Sequence, residues 1–461
     1  MAHTPNATPA EAEREQVSTS TTWLRLNTQS MRWLGKIGGA LGDQAVFSGS
    51  NTIINIVLAR HLTADEYGAF VVVYVWFTLS QNMYDAFLIE PMAIFGSGKY
   101  ANVFRQYLGN IYIGHIAFSL LLLVVMAIAT FITSLVDSQL VTYALLGVTL
   151  SAPLLLTRWL TRQPFYILAK PQWSAVGGLI YFVIGLVGIF GLDQVGQLTP
   201  VSALLAMGIA SLVSSTILTQ FLIKPEFRGA TSLSRKTLLR EHWNYGKWSS
   251  ASKMMNWIPI NLYYVLLPML AGLSATGALR AINILQMPLN MGITATLGLL
   301  LPMFANMYVH SGKAGLERRV KVVLAAFLLI TAGFNLLFIL LGIPLMNLLF
   351  DGQYNEYATL PILITSAATN FNVCINVVLD AALRVTGAVK QSFLSTVLPG
   401  VLTLTLGVAL LATNGILGAN IASIIIGIIT SLTLVYFYRR MKDEPAAVQQ
   451  PQPTEASPNA T

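Results

Sequence analysis

Charge is what this sequence has least of: only 10% of its 461 residues are Asp, Glu, Lys or Arg, against about a quarter in an ordinary soluble domain. Together with 55% hydrophobic residues and a mean hydropathy of +0.65, this excludes a soluble fold. Cysteine is nearly missing too. Cys374 stands alone inside an apolar run, which rules out an intrachain disulfide and any cysteine-built metal cluster. The patterns that carry chemistry are also missing: there is no Walker loop, no His-Glu-x-x-His, no nucleophile elbow and no large extramembrane segment to house a reaction. The expectation is a chain with no catalytic residues, no metal and no cofactor, and not an enzyme. No apolar core with a small-residue cleavage site precedes the first long apolar run, so the N-terminus is expected to stay cytoplasmic.

What the sequence does have is apolar runs of the length a helix needs to cross a bilayer, roughly twenty residues for a core of about 30 Å. A barrel would alternate apolar and polar residues, but stretches such as Ile116 to Ile128 are apolar all round. Runs near 42–59, 69–92, 108–132, 140–160, 174–192, 200–223, 248–270, 275–303, 321–341, 359–382, 393–412 and 417–438 predict about twelve transmembrane helices. Lysine and arginine supply an independent test of that count. With both termini cytoplasmic, the tails and even-numbered loops hold 24 of the 27 basic residues, including Lys99, Arg105, Arg158, Arg162, Lys170, Lys313 and Arg384. Only Arg60, Lys253 and Arg280 fall elsewhere, while the opposite loops carry Asp65, Asp137, Asp193 and Asp351. The net charge of +8 is therefore a topology signal, and no nucleic-acid partner is expected.

Composition divides the chain into five parts. Residues 1–40 form a cytoplasmic tail in which Trp23, Leu24, Met31 and Trp33 alternate with Arg25, Arg32 and Lys36, the pattern either of an interfacial helix on anionic lipid or of a plain basic flank. An N-lobe of six helices occupies 41–223, a basic cytoplasmic linker 224–247, a C-lobe of six helices 248–440, and a Pro, Ala and Gln-rich disordered tail 441–461. The two lobes share weak internal similarity. Leu58 precedes Gly68 by ten residues and Pro91-Met92 follows; Leu267 precedes Gly277 by ten and Pro302-Met303 follows. The fold class predicted is thus an all-α polytopic membrane protein with two pseudo-symmetric six-helix lobes, a parallel duplication whose substrate path lies between them.

Polar side chains inside a span are costly unless they face protein or water, ionised ones by roughly 2.5–3.5 kcal/mol at mid-bilayer. Gln44, Ser48, Asn51 and Asn55 share one face of the first helix, and Tyr74, Thr78, Gln81 and Asp85 one face of the second. Ser249, Lys253, Asn256 and Tyr263 do so on the seventh, Arg280, Asn283, Gln286 and Asn290 on the eighth, and Thr365, Thr369, Asn372, Asn376 and Asp380 on the tenth. The third, ninth and eleventh helices are nearly bare of polar residues and are expected to meet lipid. Polar faces on both corresponding pairs, one with two and seven with eight, point to a shared hydrated cleft, the alternative being hydrogen-bond glue between helices. The candidate substrate-binding residues are Lys253, Arg280, Asn51, Asn55, Asn256, Asn283, Gln286 and Asn376. Candidate ion-coupling carboxylates are Asp85, Glu90 and Asp380. His115 is a lone polar residue to which the sequence assigns no role.

The stretch from Asp43 to Asn51, with Leu58-Ala59-Arg60-His61-Leu62, Glu66-Tyr67-Gly68 and Leu88-Ile89-Glu90-Pro91-Met92, resembles the opening two helices of the polysaccharide-type flippases of the multidrug/oligosaccharidyl-lipid/polysaccharide (MOP) exporter superfamily, such as O-antigen and exopolysaccharide translocases. The resemblance is strongest over 43–96. It implies two lobes arranged as a V, alternating access, a bacterial inner-membrane location and an undecaprenyl-diphosphate-linked saccharide as substrate, with membrane lipids and polysaccharide polymerase or export proteins as partners. It also implies cleft cations that hold the diphosphate, a role that Lys253 and Arg280 fit, and an ion gradient that resets the carrier. The first helix departs from the pattern by carrying amides rather than arginines. Competing readings are a drug or cation exporter of the same superfamily, which calls for an acidic, aromatic cleft; a peptidoglycan-precursor flippase, whose relatives usually show fourteen spans; and a non-transporting scaffold of an export complex.

Overall fold

The computed structural model describes residues 38–136, 139–227, 233–386 and 388–440, and all regular structure among them is helical. The tail with its amphipathic stretch before residue 38 and the tail 441–461 lie outside the described residues. Helix α1 covers 38–61. Helix α2 covers 64–97 and contains a π-turn at Asp85–Ile89. Then follow α3 (Phe104–Ser134), α4 (Gln139–Ile167), α5 (Pro171–Gln194), α6 (Pro200–Ile223) and α7 (Arg235–Ala271). The run Leu273–Phe350 is broken at Gly312, whose φ of 61° and ψ of −163° no helix tolerates, and so forms α8 (273–311) and α9 (313–350). Helix α10 is Leu360–Val385. Gly415 (φ 54°, ψ −132°) likewise separates α11 (389–414) from α12 (416–440). Eight stretches among the described residues are long and apolar enough to cross a membrane, two of them spanning these glycine breaks.

Loops gather at two ends. At the basic end Lys99 pairs with Glu241, Arg105 approaches Glu226 (3.9 Å), and Lys313 donates to the Arg439 carbonyl (3.2 Å). At the other end His61 meets Asp193 at 2.8 Å, and Gln353 donates to the Arg60 carbonyl at 2.8 Å. Lipid-type surfaces lie where the sequence is bare of polar groups: Leu120, Leu121 and Phe131 on α3, Leu329, Leu336 and Leu340 on α9, and Phe393, Val401 and Leu404 on α11 are exposed.

Two sequence expectations change. Arg158 and Arg162 are not loop residues, because α4 continues to Ile167 and keeps both inside the bundle. The linker 224–247 is only partly a connection: from Arg235 it is helix, capped by Ser234 and continuous with α7. Its inner face packs Leu238, His242 and Gly246 against α2 and α3, which is why the chain helicises before the predicted span.

The repeated glycines meet. Gly68 and Gly277 are each the fifth residue of their helix, α2 and α8, and the helices cross there. A Cβ on Gly68 would stand 1.9 Å from the Leu273 carbonyl oxygen, and one on Gly277 3.0 Å from the Ala64 carbonyl oxygen. Small residues let helix backbones approach this closely. The crossing is bolted at the same end by Arg60 Nη1 donating to the Leu348 carbonyl (3.1 Å) and Tyr354 Oη to that of Ala59 (3.3 Å). The lobes are therefore closed together at the end opposite the basic loops.

Candidate functional site: a tyrosine-ringed arginine between the lobes

The residues singled out on helices one, two, seven and eight converge. Arg280 of α8 lies at the lobe interface with its guanidinium among Tyr67 and Tyr74 of α2 and Tyr264 of α7. Tyr67 donates to Asn55 Oδ1 of α1 (3.2 Å), and Asn283 Nδ2 donates to Tyr264 (2.6 Å). Two hydrogen-bonded pairs, Asn55 with Tyr67 and Asn283 with Tyr264, thus flank Arg280. None of the salt bridges among the described residues involves Arg280. Phenols orient a guanidinium, but they do not neutralise it, so the site keeps a positive charge in a poorly screened setting.

Beyond Asn283 the C-lobe holds a cavity of about 270 Å³ whose wall mixes apolar side chains such as Leu279, Val373 and Ile426 with uncharged polar ones, Asn283, Asn372, Asn376 and Asn420 among them. Asn376 accepts from Ser431 (2.7 Å), Asn372 donates to the Ile424 carbonyl (3.0 Å), and Asn420 donates to Ser366 (2.7 Å). These bonds fix the amides in the cavity wall.

The other cation is placed differently. Lys253 lies 3.1 Å from Glu90 and 3.7 Å from Asp85, both on α2, and Ser249 donates to Glu90. This three-charge cluster joins α2 to α7 toward the basic end. The π-turn at Asp85–Ile89 sets the aim of Asp85, since the extra residue per turn rotates its side chain toward α7. Asp85 Oδ1 is sealed without a hydrogen-bond partner. The two carboxylates outnumber the one cation, and the cluster is partly exposed, so Lys253→Ala should leave them facing each other and lower thermal stability by about 1–2 kcal/mol, less than the cost of breaking a fully buried pair. Melting temperature in detergent checks this, and neutralising Asp85 and Glu90 as well should restore it.

The remaining candidates scatter. Gln286 is buried with Nε2 unpartnered. Asn51 is half-buried one turn from Asn55. Asn256 is exposed and returns its amide to the Ser252 carbonyl (2.9 Å). Asp380 pairs with Arg384 of its own helix at 2.8 Å. His115 accepts or donates a hydrogen bond with Tyr84 (2.9 Å) and is a packing residue.

Sequence reasoning missed the arginines of α4. Arg162 pairs with Asp43 (2.8 Å), which also accepts from Tyr166. Arg158 lies flat on Tyr181, 3.8 Å from its ring centre, with Nη2 sealed and unbonded. Both also face Phe47. The signal was present: Arg158 and Arg162 are four apart, one helical face, with an apolar run continuing on both sides.

Two helical lobes closed at one end, with a polar seam and, between them, a cation that no carboxylate pairs with among the described residues, define the class: an all-helical, multi-pass, two-lobe membrane fold. Comparison with solved structures gives that fold a name. The chain aligns with a lipid II flippase MurJ in an inward closed conformation (TM-score 0.69, 14% identity, 88% of this chain and 87% of that one). It aligns with a multidrug resistance MATE family transporter of the MOP superfamily in an inward-facing conformation (TM-score 0.67, 14% identity, 86% and 94%) and with one in an outward-facing conformation (TM-score 0.59, 12% identity, 87% and 93%). The chain shares the fold of these solved structures. No protein-family model matches the sequence, and no curated protein matches it.

Proposed function

We propose that the chain is a flippase that carries an undecaprenyl-diphosphate-linked oligosaccharide across the bacterial inner membrane by alternating access. The observation that carries this reading is Arg280, a cation kept between the lobes without a carboxylate. Placing such a charge in a membrane costs roughly 2.5–3.5 kcal/mol, and an anionic ligand recovers it. A drug or cation exporter would need the opposite sign there. The uncharged amide cavity next to it suits sugar hydroxyls, which need donors and acceptors in equal measure. A scaffold without transport would have no use for either. Basic loops at one end support twelve crossings with that end and both termini cytoplasmic, so the α2–α8 crossing closes the outer side and the substrate enters from the inner leaflet.

In this reading Arg280 holds the diphosphate, the tyrosines present the guanidinium, and the C-lobe amides read the first sugars. Lys253, Asp85 and Glu90 are the coupling set: a proton or cation on Asp85 weakens its hold on Lys253 and loosens the α2–α7 seam. Asn372→Leu with Asn376→Leu should lower affinity for the saccharide-bearing lipid by about tenfold or more, since each lost hydrogen bond to a sugar is worth about 1 kcal/mol and leaves a donor unpaired. Binding of the sugar-free prenyl diphosphate should be unchanged. Titration of both lipids in nanodiscs tests this, and an equal loss for both would remove the cavity from the binding site.

A further inference from the structure

We propose that the groove formed by α2, α3 and the first turns of α7 is a binding site for an anionic glycerophospholipid of the surrounding bilayer, one that steadies the α2–α7 seam. The groove is open on one side, has a volume of about 520 Å³, and is almost wholly apolar, with Leu88, Ile111, Gly114, Ala117, Phe118 and Leu238 along it. That is within the size range of pockets that hold small ligands, about 300–1,000 Å³. The one charged residue on its wall is Arg235, at the basic end, where a lipid headgroup would lie. Trp243, 58% exposed, lines the groove two turns beyond Arg235 on the same helix, an indole of the kind that favours the membrane interface. A basic headgroup clamp with an apolar slot running from it fits a lipid with a negative head and an acyl tail.

The occupant is a bilayer lipid rather than the tail of the transported substrate. Between the groove and the cleft the seam is shut: His242 Nδ1 bonds the Phe87 carbonyl (2.7 Å), Gly246 abuts the Phe87 ring, and Lys253 joins Asp85 and Glu90 behind them. A prenyl chain attached to a diphosphate at Arg280 has no passage through this wall. The same contacts give the site its consequence. Phe87 and Leu88, which face the groove, belong to the π-turn that carries Asp85, and Trp243 stacks on Phe87 with ring centres 5.5 Å apart. A tail in the groove packs on the outer face of the turn whose inner face holds Lys253.

Native mass spectrometry of the full chain released from membranes of equal dioleoyl-phosphatidylglycerol and dioleoyl-phosphatidylcholine tests the proposal. One phosphatidylglycerol should be retained in preference to phosphatidylcholine. Arg235→Gln should reduce that preference about fivefold, the worth of one basic residue against an anionic headgroup. Ala117→Trp, which fills the slot from the exposed side of α3, should abolish retention of either lipid while leaving the melting temperature in lipid-free detergent unchanged. Equal retention of both lipids by wild type, or retention untouched by Ala117→Trp, overturns the site. Displacement of the phosphatidylglycerol by undecaprenyl phosphate would overturn it in favour of the prenyl carrier.

Discussion

Arg280→Gln lowers affinity for a short-chain prenyl diphosphate by about a hundredfold, with Arg280→Lys falling between the two. Truncating one partner of a buried, hydrogen-bonded charge pair costs about 2–5 kcal/mol, and a guanidinium engages two phosphate oxygens at once where an ammonium engages one. The same substitution should leave the ligand-free protein as stable as wild type or more so. Arg280 has no carboxylate partner to strand, and the tyrosines around it keep Asn55 and Asn283 as hydrogen-bond partners. That pairing of outcomes separates a binding arginine from a structural one, whose loss would lower both stability and affinity. Isothermal titration beside a melting curve reads the two quantities on one sample.

Gly68→Leu shifts the chain away from closure at the end opposite the basic loops. A Cβ at Gly68 would sit 1.9 Å from the Leu273 carbonyl oxygen, a main-chain atom that cannot step aside without moving α8. Overpacking a well-filled core costs about 1–3 kcal/mol, and in the proposed alternating-access cycle it acts on the lobe-closed state, the one in which α2 and α8 touch here. A bias of that size changes a two-state population by about ten- to a hundredfold. Disulfide trapping reads it directly. Arg60→Cys with Gln353→Cys places a pair across the closed end, where Gln353 now reaches the Arg60 carbonyl at 2.8 Å, and Cys374 is buried away from it. Cross-linking should be fast in wild type and fall at least tenfold on adding Gly68→Leu. Gly277→Ala, whose new methyl has 3.0–3.3 Å to its neighbours, should show a much smaller effect.

The central geometry was legible where it depends on period and register. Angular position alone put Asn55, Arg280 and Asn283 on inward faces, and those faces meet. The matched glycines of the two halves, read as a sign of duplication, turn out to touch each other. What the sequence could not supply was partnership across the chain. Lys253 has nothing nearby in sequence to suggest that its charge is shared with Asp85 and Glu90, and no local pattern reports a π-turn. The arginines of α4 were lost for a different reason: hydropathy treats arginine near the end of an apolar run as the start of a loop, whereas Arg158 is kept in the bundle by stacking on Tyr181. Tyr67 and Tyr264 were hidden because tyrosine near the end of a span is ordinary interfacial composition. Only the approach of the two lobes shows that both phenols turn toward one guanidinium.

The measurement that bears most directly on the whole account is translocation in sealed proteoliposomes of a fluorescent undecaprenyl-diphosphate saccharide, with ethidium uptake followed in the same vesicles. The wild-type chain is expected to move the glycolipid between leaflets, Arg280→Gln to stop it, and ethidium not to be transported. Ethidium transport without glycolipid movement would contradict this, because a cleft that carries an organic cation cannot be organised around an unpaired arginine.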